Sequence, residues 1–286
     1  MNSMPGYKNT QFSQEEIEAF RPAMKIGLLA SVTPEGQPHI TLFSSLMAAG
    51  EQQMCIGKFV EGISFDFFQA DPKVGWMIMS LDKDLWRGKA TFTHLEKSGR
   101  EFDFYNNVPM FRYNAYFGIH TVYYFDLLSH SGKAPLPMNK VIGAAVKTMI
   151  SKPFFHYHKN EPVMNHWTRN LFNKLDNLKF LSYIDQDGHP LIIPVIQAQT
   201  ADDRHLVFAL GAFTDEIKAI PKGVSMAMFG MSLDMTDVLV RGTYHGLRSV
   251  GLFKCGVLEV DYVYNPMPPV PAQIYPPEPL KAITEF

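Results

Sequence analysis

Cysteine is scarce: the 286 residues hold two, Cys55 and Cys255. That count excludes the disulfide framework that staples small secreted domains. The ordinary reading is two buried thiols in a reducing compartment, although sequence alone leaves their pairing open. Charge is sparse at 19% and nearly balanced, with a net value of −2. Nothing in that balance points to nucleic acid or an anionic membrane as partner. No run of about 18 apolar residues occurs, which excludes a membrane-spanning helix. The opening stretch MNSMPGYKNTQFSQEE has no basic region followed by an apolar core, so it does not read as a signal peptide. The expected location is the cytoplasm. There is neither a phosphate-binding P-loop nor a nucleophile elbow, so hydrolase chemistry has no support.

What the chain has in plenty is apolar and aromatic mass: 46% hydrophobic residues, with 22 Phe, 12 Tyr and 16 Met. The length suits two domains of ordinary size with a sizeable core. Most of these side chains read as core filler, because methionine fits irregular gaps and aromatics bury large areas. The alternative use is as walls for a flat ring.

The same punctuation occurs twice. IGLLASVTPEGQP (26–38) is an apolar strand ending in an acid, Gly, one residue and Pro, and FLSYIDQDGHP (180–190) follows the same plan. Met79-Ser80-Leu81-Asp82 recurs as Met231-Ser232-Leu233-Asp234, and Arg87-Gly88 as Arg241-Gly242. Hydrophobicity alone does not reproduce ordered punctuation, so the chain reads as an internal duplication. Before the first copy, residues 12–24 predict a helix capped by Ser13, with Glu15 and Glu16 at its positive end and Ile17 and Phe20 on one face. Strands follow at 26–32, 39–45 and 53–59, with Pro34-Glu35-Gly36 as the hairpin turn. A short helix over 65–70, capped by Ser64, stops at Asp71-Pro72. Strands at 74–81 and 85–95 complete the set, and 102–105 reads as either a helix start or a short strand. The second copy repeats this with strands at 179–185, 191–198 and 205–211. A Thr214-capped helix (215–220) then stops at Pro221, before strands at 224–231, 237–247 and 254–262.

Between the copies, residues 108–176 carry aromatic runs (Tyr113, Tyr116, Phe117, Tyr123, Tyr124, Phe125). They also predict a helix over 137–151 with Val141, Ala144, Ala145, Thr148 and Met149 on one face. The tail 265–279 holds seven prolines and reads as extended chain, since proline cannot join a central sheet. The expected organisation is therefore a first repeat with its helix at 1–107, a helical and aromatic connector at 108–176, a second repeat at 177–264, and a Pro-rich tail at 265–286.

The two hairpins, the segment Lys58-Phe59-Val60-Glu61-Gly62-Ile63-Ser64 leading to Asp71-Pro72-Lys73-Val74, and the Arg87-Gly88 strand resemble the FMN-binding split-barrel superfamily, the pyridoxamine 5′-phosphate oxidase-like proteins. The likeness covers about 85 residues in each half. It implies a mainly β protein with some α: two Greek-key split barrels in one chain with a helical connecting segment. It further implies a pseudo-dimer within one chain, open to further homodimerisation, with FMN in the cleft between barrels and oxidoreductase chemistry on a small-molecule substrate that the sequence does not name. Carried over by position, the phosphate and ribityl contacts are Thr41, Ser44, Ser45, Lys58, Phe59, Gly62 and Ser64. Arg87, and Lys89 on the same face by the period of two, add positive charge. Lys58, Ser64 and Arg87 are the expected phosphate ligands, and no side chain is assigned as general acid or base. A capped helix start with Gly62 beside it suits an anion.

The sequence also departs from the family pattern. Phe65 and Asp66, rather than a basic residue, follow Ser64, and the second strand carries Thr41 rather than Arg. The second copy has Asp215 and Glu216 at the helix start, where carboxylates repel phosphate, and no Lys on its third strand. A cofactor is thus expected mainly at the first copy. The alternative is a non-enzymatic ligand-binding or haem-binding split-barrel protein with the flavin site lost; a purely structural pseudo-dimer is a third reading. His156, His158, Glu161 and His166 group potential metal ligands without a standard spacing, and read as a surface cluster. An axial haem ligand would come from that stretch or from His120. For Arg87 and Arg241 the competing reading is a structural ion pair, for instance with Asp82 or Asp234.

Overall fold

Ser13 opens the first helix by a reciprocal cap: its Oγ accepts from Glu16 N at 3.2 Å, and Glu16 Oε2 accepts from Ser13 N at 2.9 Å. The computed structural model describes residues 7–59, 61–110, 118–155, 161–267 and 271–279. Helix α1 (Gln14–Phe20) is shorter than the predicted 12–24, because Pro22 disfavours helix at the residue before it. Its buried Phe20 meets Phe12 edge-on at 5.3 Å and Trp86 at 5.2 Å. Trp76, Trp86, Tyr105, Phe68 and Phe125 are also fully buried, so the aromatic surplus is largely core. Each such side chain contributes roughly 1.5–3 kcal/mol by leaving water.

The first set of elements is β1 (Ile26–Val32), β2 (Pro38–Leu42), β3 (Met47–Gly50), β4 (Gln53–Lys58), α2 (Ser64–Ala70), β5 (Lys73–Met79), β6 (Asp84–Glu96), α3 (Arg100–Asn107), β7 (Thr121–His130) and β8 (Ala134–Pro135). Next come α4 (Met138–Ser151), a 3₁₀ turn (Lys152–Phe155) and α5 (His166–Asn173). The second set is β9 (Leu178–Ile184), β10 (Pro190–Pro194), β11 (Gln199–Thr200), β12 (His205–Ala209), α6 (Thr214–Ala219), β13 (Ser225–Met231), β14 (Asp237–Val250), β15 (Phe253–Asn265) and β16 (Ala272–Tyr275).

Two eight-stranded antiparallel sheets result. The first runs β2-β1-β5-β6-β7-β4-β3 with β8 on β6. The second runs β10-β9-β13-β14-β15-β12-β11 with β16 on β15. Along each seven-strand path the two orders are the same. In each, the strands at opposite edges are successive in sequence: residues 43–46 alone join β2 to β3, and 195–198 join β10 to β11. Four residues span at most about 14 Å, whereas a flat seven-strand ladder is about 29 Å wide. Each sheet must therefore roll up, which is the split-barrel architecture expected twice. The closure has its own side-chain bonds. Ser45 Oγ accepts from Gly57 N and donates to Gly57 O, both at 3.1 Å, and Gln197 Nε2 donates to Ala209 O at 2.9 Å in the second sheet.

The structure divides into two compact units: Met1–Gly36, Ile40–Leu136 and Ile184–Ile192 in unit 1, and Gln37–His39, Pro137–Tyr183 and Ile193–Phe286 in unit 2. The tip of the β9–β10 hairpin thus belongs to unit 1, and three residues of the β1–β2 hairpin to unit 2. The recurring Arg-Gly pairs owe their glycines to close strand packing. A Cβ on Gly88 would overlap the Ser129 carbonyl oxygen, and one on Gly242 that of Glu259.

Several local expectations are corrected. Residues 108–176 are more than a connector, because β7 and β8 lie in the first sheet. Tyr123, Tyr124 and Phe125 on β7 fill its core, while Tyr113, Tyr116 and Phe117 lie outside the described residues. Residues 102–105 belong to helix α3, and β2 ends at Leu42 rather than at 45. Ser64 does not cap α2; it is the first helical residue, after Ile63. Thr214 likewise opens α6 and donates to Gly211 O at 2.8 Å. Both hydroxyls are drawn to oxygens outside their helices instead of to the helix N–H groups. On α4 the buried face is Val141, Ala144, Thr148 and Ser151, with Met149 exposed. The tail does contribute a strand, β16, formed by residues between its prolines. Cys55 and Cys255 are both buried free thiols.

Candidate functional site

Five of the nine predicted contact residues come together in unit 1 at the end of β4 and the start of α2. Thr41 on β2 and Ser64 share a short hydrogen bond of 2.5 Å between their hydroxyls. Lys58, the last residue of β4, lies over the ring of Phe65 with its Nζ 4.8 Å from the centroid. Phe65 is the residue after Ser64, so both contacts are made to the first turn of α2. Lys58 Nζ also pairs with Glu61 Oε2 at 2.8 Å. The lysine side chain is 13% exposed and the glutamate 82%, so the pair is worth little and opens easily to a competing anion. Phe59 packs on the core as a half-buried side chain. Gly62 faces open space: a Cβ there would meet no atom within 4 Å. Asp66, in the first turn of α2, opposes an anion.

The other four residues serve elsewhere. Ser45 closes the barrel, as described. The Ser44 carbonyl accepts from Lys25 Nζ at 3.2 Å; burial pushes that ammonium down to about 8. Arg87 and Lys89 lie on β6, which is separated from β4 by β7 and from β2 by β1 and β5. Both engage the segment 184–192 within unit 1. Arg87 is buried, and its Nη1 donates to Ile192 O at 3.2 Å. Lys89 Nζ binds Asp185 Oδ2 at 2.9 Å and Asp187 Oδ2 at 2.7 Å. Burial raises the Asp187 carboxyl, but the Lys89 and His189 N–H bonds outweigh it and hold the group below the usual carboxylate range. Lys73 Nζ donates to Asp187 O at 3.1 Å, and a Cβ on Gly75 would overlap the Pro190 carbonyl oxygen. A phosphate on Lys89 would have to displace two carboxylates. Glu61 was within sequence reach as an i,i+3 partner of Lys58. Asp185 and Asp187 were not, being about 100 residues from Lys89 with no pattern linking them.

In unit 2, Arg241 stacks on Tyr262 with its guanidinium carbon 4.2 Å from the ring centroid. His39 is buried and meets Tyr264 edge-on at 5.5 Å. Burial first, and then the Arg241 charge, push its imidazole down to about 3, so it stays neutral. The second counterpart of the lysine site has a different cover. Ala209 N donates to Thr148 Oγ1 of α4 at 2.9 Å, and a Cβ on Gly211 would collide with Ala144 Cβ and Lys140 O. Asp215 and Glu216 stand in the first turn of α6.

His120 Nδ1 pairs with Thr121 Oγ1 at 2.5 Å, and His166 lies 3.2 Å from Asn170 Nδ2. His156 and His158 lie outside the described residues. Among the described residues no group of three or more His, Cys, Asp or Glu side chains is arranged to hold a metal. A separate cleft of about 300 Å³ in unit 1, between α1, β3 and α3, contains none of the nine predicted residues.

No family model matches this chain, and no curated protein does. Solved structures to which it is similar include an FMN-binding protein from Syntrophomonas wolfei, at 14% identity over 43% of this chain and 86% of that one, with a TM-score of 0.36. A candidate pyridoxamine 5′-phosphate oxidase from Lactobacillus delbrueckii is 15% identical over 44% of this chain and 98% of that one, with a TM-score of 0.34. HupZ from Group A Streptococcus is 13% identical over 44% and 98%, with a TM-score of 0.35. Each of these three matches covers less than half of this chain, and none of them extends to ligand or reaction.

Proposed function

We propose that the first repeat binds a phosphorylated flavin, FMN in the first instance, and that the protein acts as a flavin-dependent oxidoreductase of the pyridoxamine 5′-phosphate oxidase-like class. One observation carries this reading: at the end of β4 and the start of α2 stand the sheltered ammonium of Lys58, over the Phe65 ring, the Thr41–Ser64 hydroxyl pair and a glycine with open space before it. One cation and two hydroxyls suit a phosphate group. Thr41 and Ser64 hold each other in place, so the hydroxyl not donating to its partner can donate to a phosphate oxygen. Binding asks Lys58 to exchange exposed Glu61 for the ligand. When bound, flavin supplies hydride or electron transfer; the residues here bind and orient its phosphate end.

Titration with FMN, followed by flavin fluorescence and by the visible spectrum after dialysis, tests the reading. The expected result is a retained yellow chromophore and quenched flavin fluorescence, with binding weakened in Lys58→Ala. Protein that leaves FMN unquenched and emerges colourless overturns it. A second reading, a ligand-free structural protein, is favoured by Arg87 and Lys89, whose side chains engage the segment 184–192. Under that reading Lys58→Ala alters neither spectrum nor stability.

A further inference from the structure

Helix α4 of unit 2 is apolar on two sides. Val141, Ala144 and Thr148 are buried, whereas Ile142, Val146, Met149 and Ile150 are exposed. Those four positions form one stripe at helical spacing, not scattered surface residues. The chain continues into Phe154, 72% exposed. Beside it stands the tip of the β14–β15 hairpin, where Leu252 is 99% exposed. Ile150, Phe154, Leu252 and Phe253 line one depression together with Arg248. Leu252 and Phe253 also line a second with Lys147, Lys218 and Lys254, and Lys218 and Arg248 a third with Lys222. The shared residues make this one continuous surface. Among the described residues its lining holds the cations Lys147, Lys218, Lys222, Arg248 and Lys254 and no carboxylate, in a chain of net charge −2. Asp215, beside it, pairs with Lys218 at 3.8 Å.

We propose that this surface docks the protein on an anionic lipid bilayer, with Leu252 and Phe154 entering the headgroup layer and the basic rim lying over lipid phosphates. Protruding apolar side chains ringed by cations are the pattern of interfacial binding, and the soft headgroup layer needs no preformed socket for a leucine standing clear at a hairpin tip. A symmetric contact with a second copy is disfavoured, because it would set the basic rim against itself. An acidic protein would match the charge but must supply a socket for the tip.

The test is co-sedimentation of the full chain with phosphatidylcholine vesicles, with and without about one-third phosphatidylserine. Binding is expected to be at least about tenfold stronger on the anionic vesicles and to fall with added salt. Leu252→Glu, at a wholly exposed site that leaves folding intact, is expected to weaken it about tenfold, as is Lys147→Glu with Lys254→Glu. Absence of vesicle binding, equal binding to both compositions, or indifference to Leu252→Glu overturns the proposal. So does a lipid-free dimer, seen by sedimentation velocity, that Leu252→Glu dissolves. Polyglutamate binding as tight as vesicle binding and untouched by Leu252→Glu would assign the surface to an acidic protein and overturn it as well.

Discussion

Beyond β4 the chain opens toward solvent at Gly62, whereas beyond β12 the second repeat is roofed by α4 at Gly211. The two repeats share one strand order and one closure, yet a Cβ meets nothing at Gly62 of the first and collides with α4 at Gly211 of the second. The same strand order thus leaves different neighbours at the ends of β4 and β12, and that difference in cover is what the proposed site depends on. Lys89, next to the recurring Arg-Gly pair, is engaged by Asp185 and Asp187, whereas Lys58 is paired with the exposed Glu61.

The sharpest way to break this comparison is a methyl group. Gly211→Ala drives a Cβ into Ala144 and the Lys140 backbone, and a loss on the order of 2–3 kcal/mol is expected from displacement of α4. Gly62→Ala meets open space and is expected to stay within about 0.5 kcal/mol of the parent. Urea titration of both variants decides the matter; equal losses would mean that the two sites are covered alike. Next in size is Lys58→Ala, expected to weaken FMN binding by about 10- to 100-fold by fluorescence titration. Thr214→Ala, at the corresponding helix start of the second repeat, should leave it unchanged.

Lys89→Ala sharpens the division between holding and binding. It removes a cation whose carboxylate partners are 20% and 52% exposed. A loss of about 1 kcal/mol, shrinking at high salt, is expected in chemical denaturation, with FMN affinity unchanged. A fall in affinity without a fall in stability would return Lys89 to the cofactor site. A further comparison is the pH dependence set by His39. Its folded pKa of about 3 lies below the ordinary 6.5, so its contribution is present above pH 6.5 and is lost as pH falls toward 3. There the unfolded chain takes up a proton that the folded one refuses. Asp237, whose carboxyl burial pushes up to about 7, gives the opposite slope between pH 3.8 and 7. The diagnostic quantity is therefore the difference between parent and His39→Gln, in which the slope is expected to change by up to about 1.4 kcal/mol per pH unit.

Much of the fold is legible in the chain because local chemistry writes it there. Ser13 and Glu16 announce α1, apolar runs broken by turn residues mark the paired strands, and Pro72 and Pro221 stop helices; the predicted helix 12–24 overruns Pro22, which forbids its extension. The grouping of the candidate contact residues was only partly legible. Lys58, Phe59, Gly62 and Ser64 lie within seven residues, so one strand end and one helix start bring them together, and Thr41 joins them across the sheet. Ser45, Arg87 and Lys89 carry chemistry suited to a phosphate, but their partners lie elsewhere in the chain, and no local pattern reveals that.

The sequence by itself determined most strand spans of both repeats, their recurring turns and the aromatic composition of the cores, since each follows from residue type and near-neighbour spacing. Tertiary structure alone decided that β7 belongs to the first sheet, that α4 covers the end of β12, and that cations from α4, α6 and the β14–β15 hairpin gather around Leu252. Those outcomes depend on the closure of a sheet whose edges meet across four residues. Closure sets side chains distant in sequence against one another, and no local pattern encodes which ones.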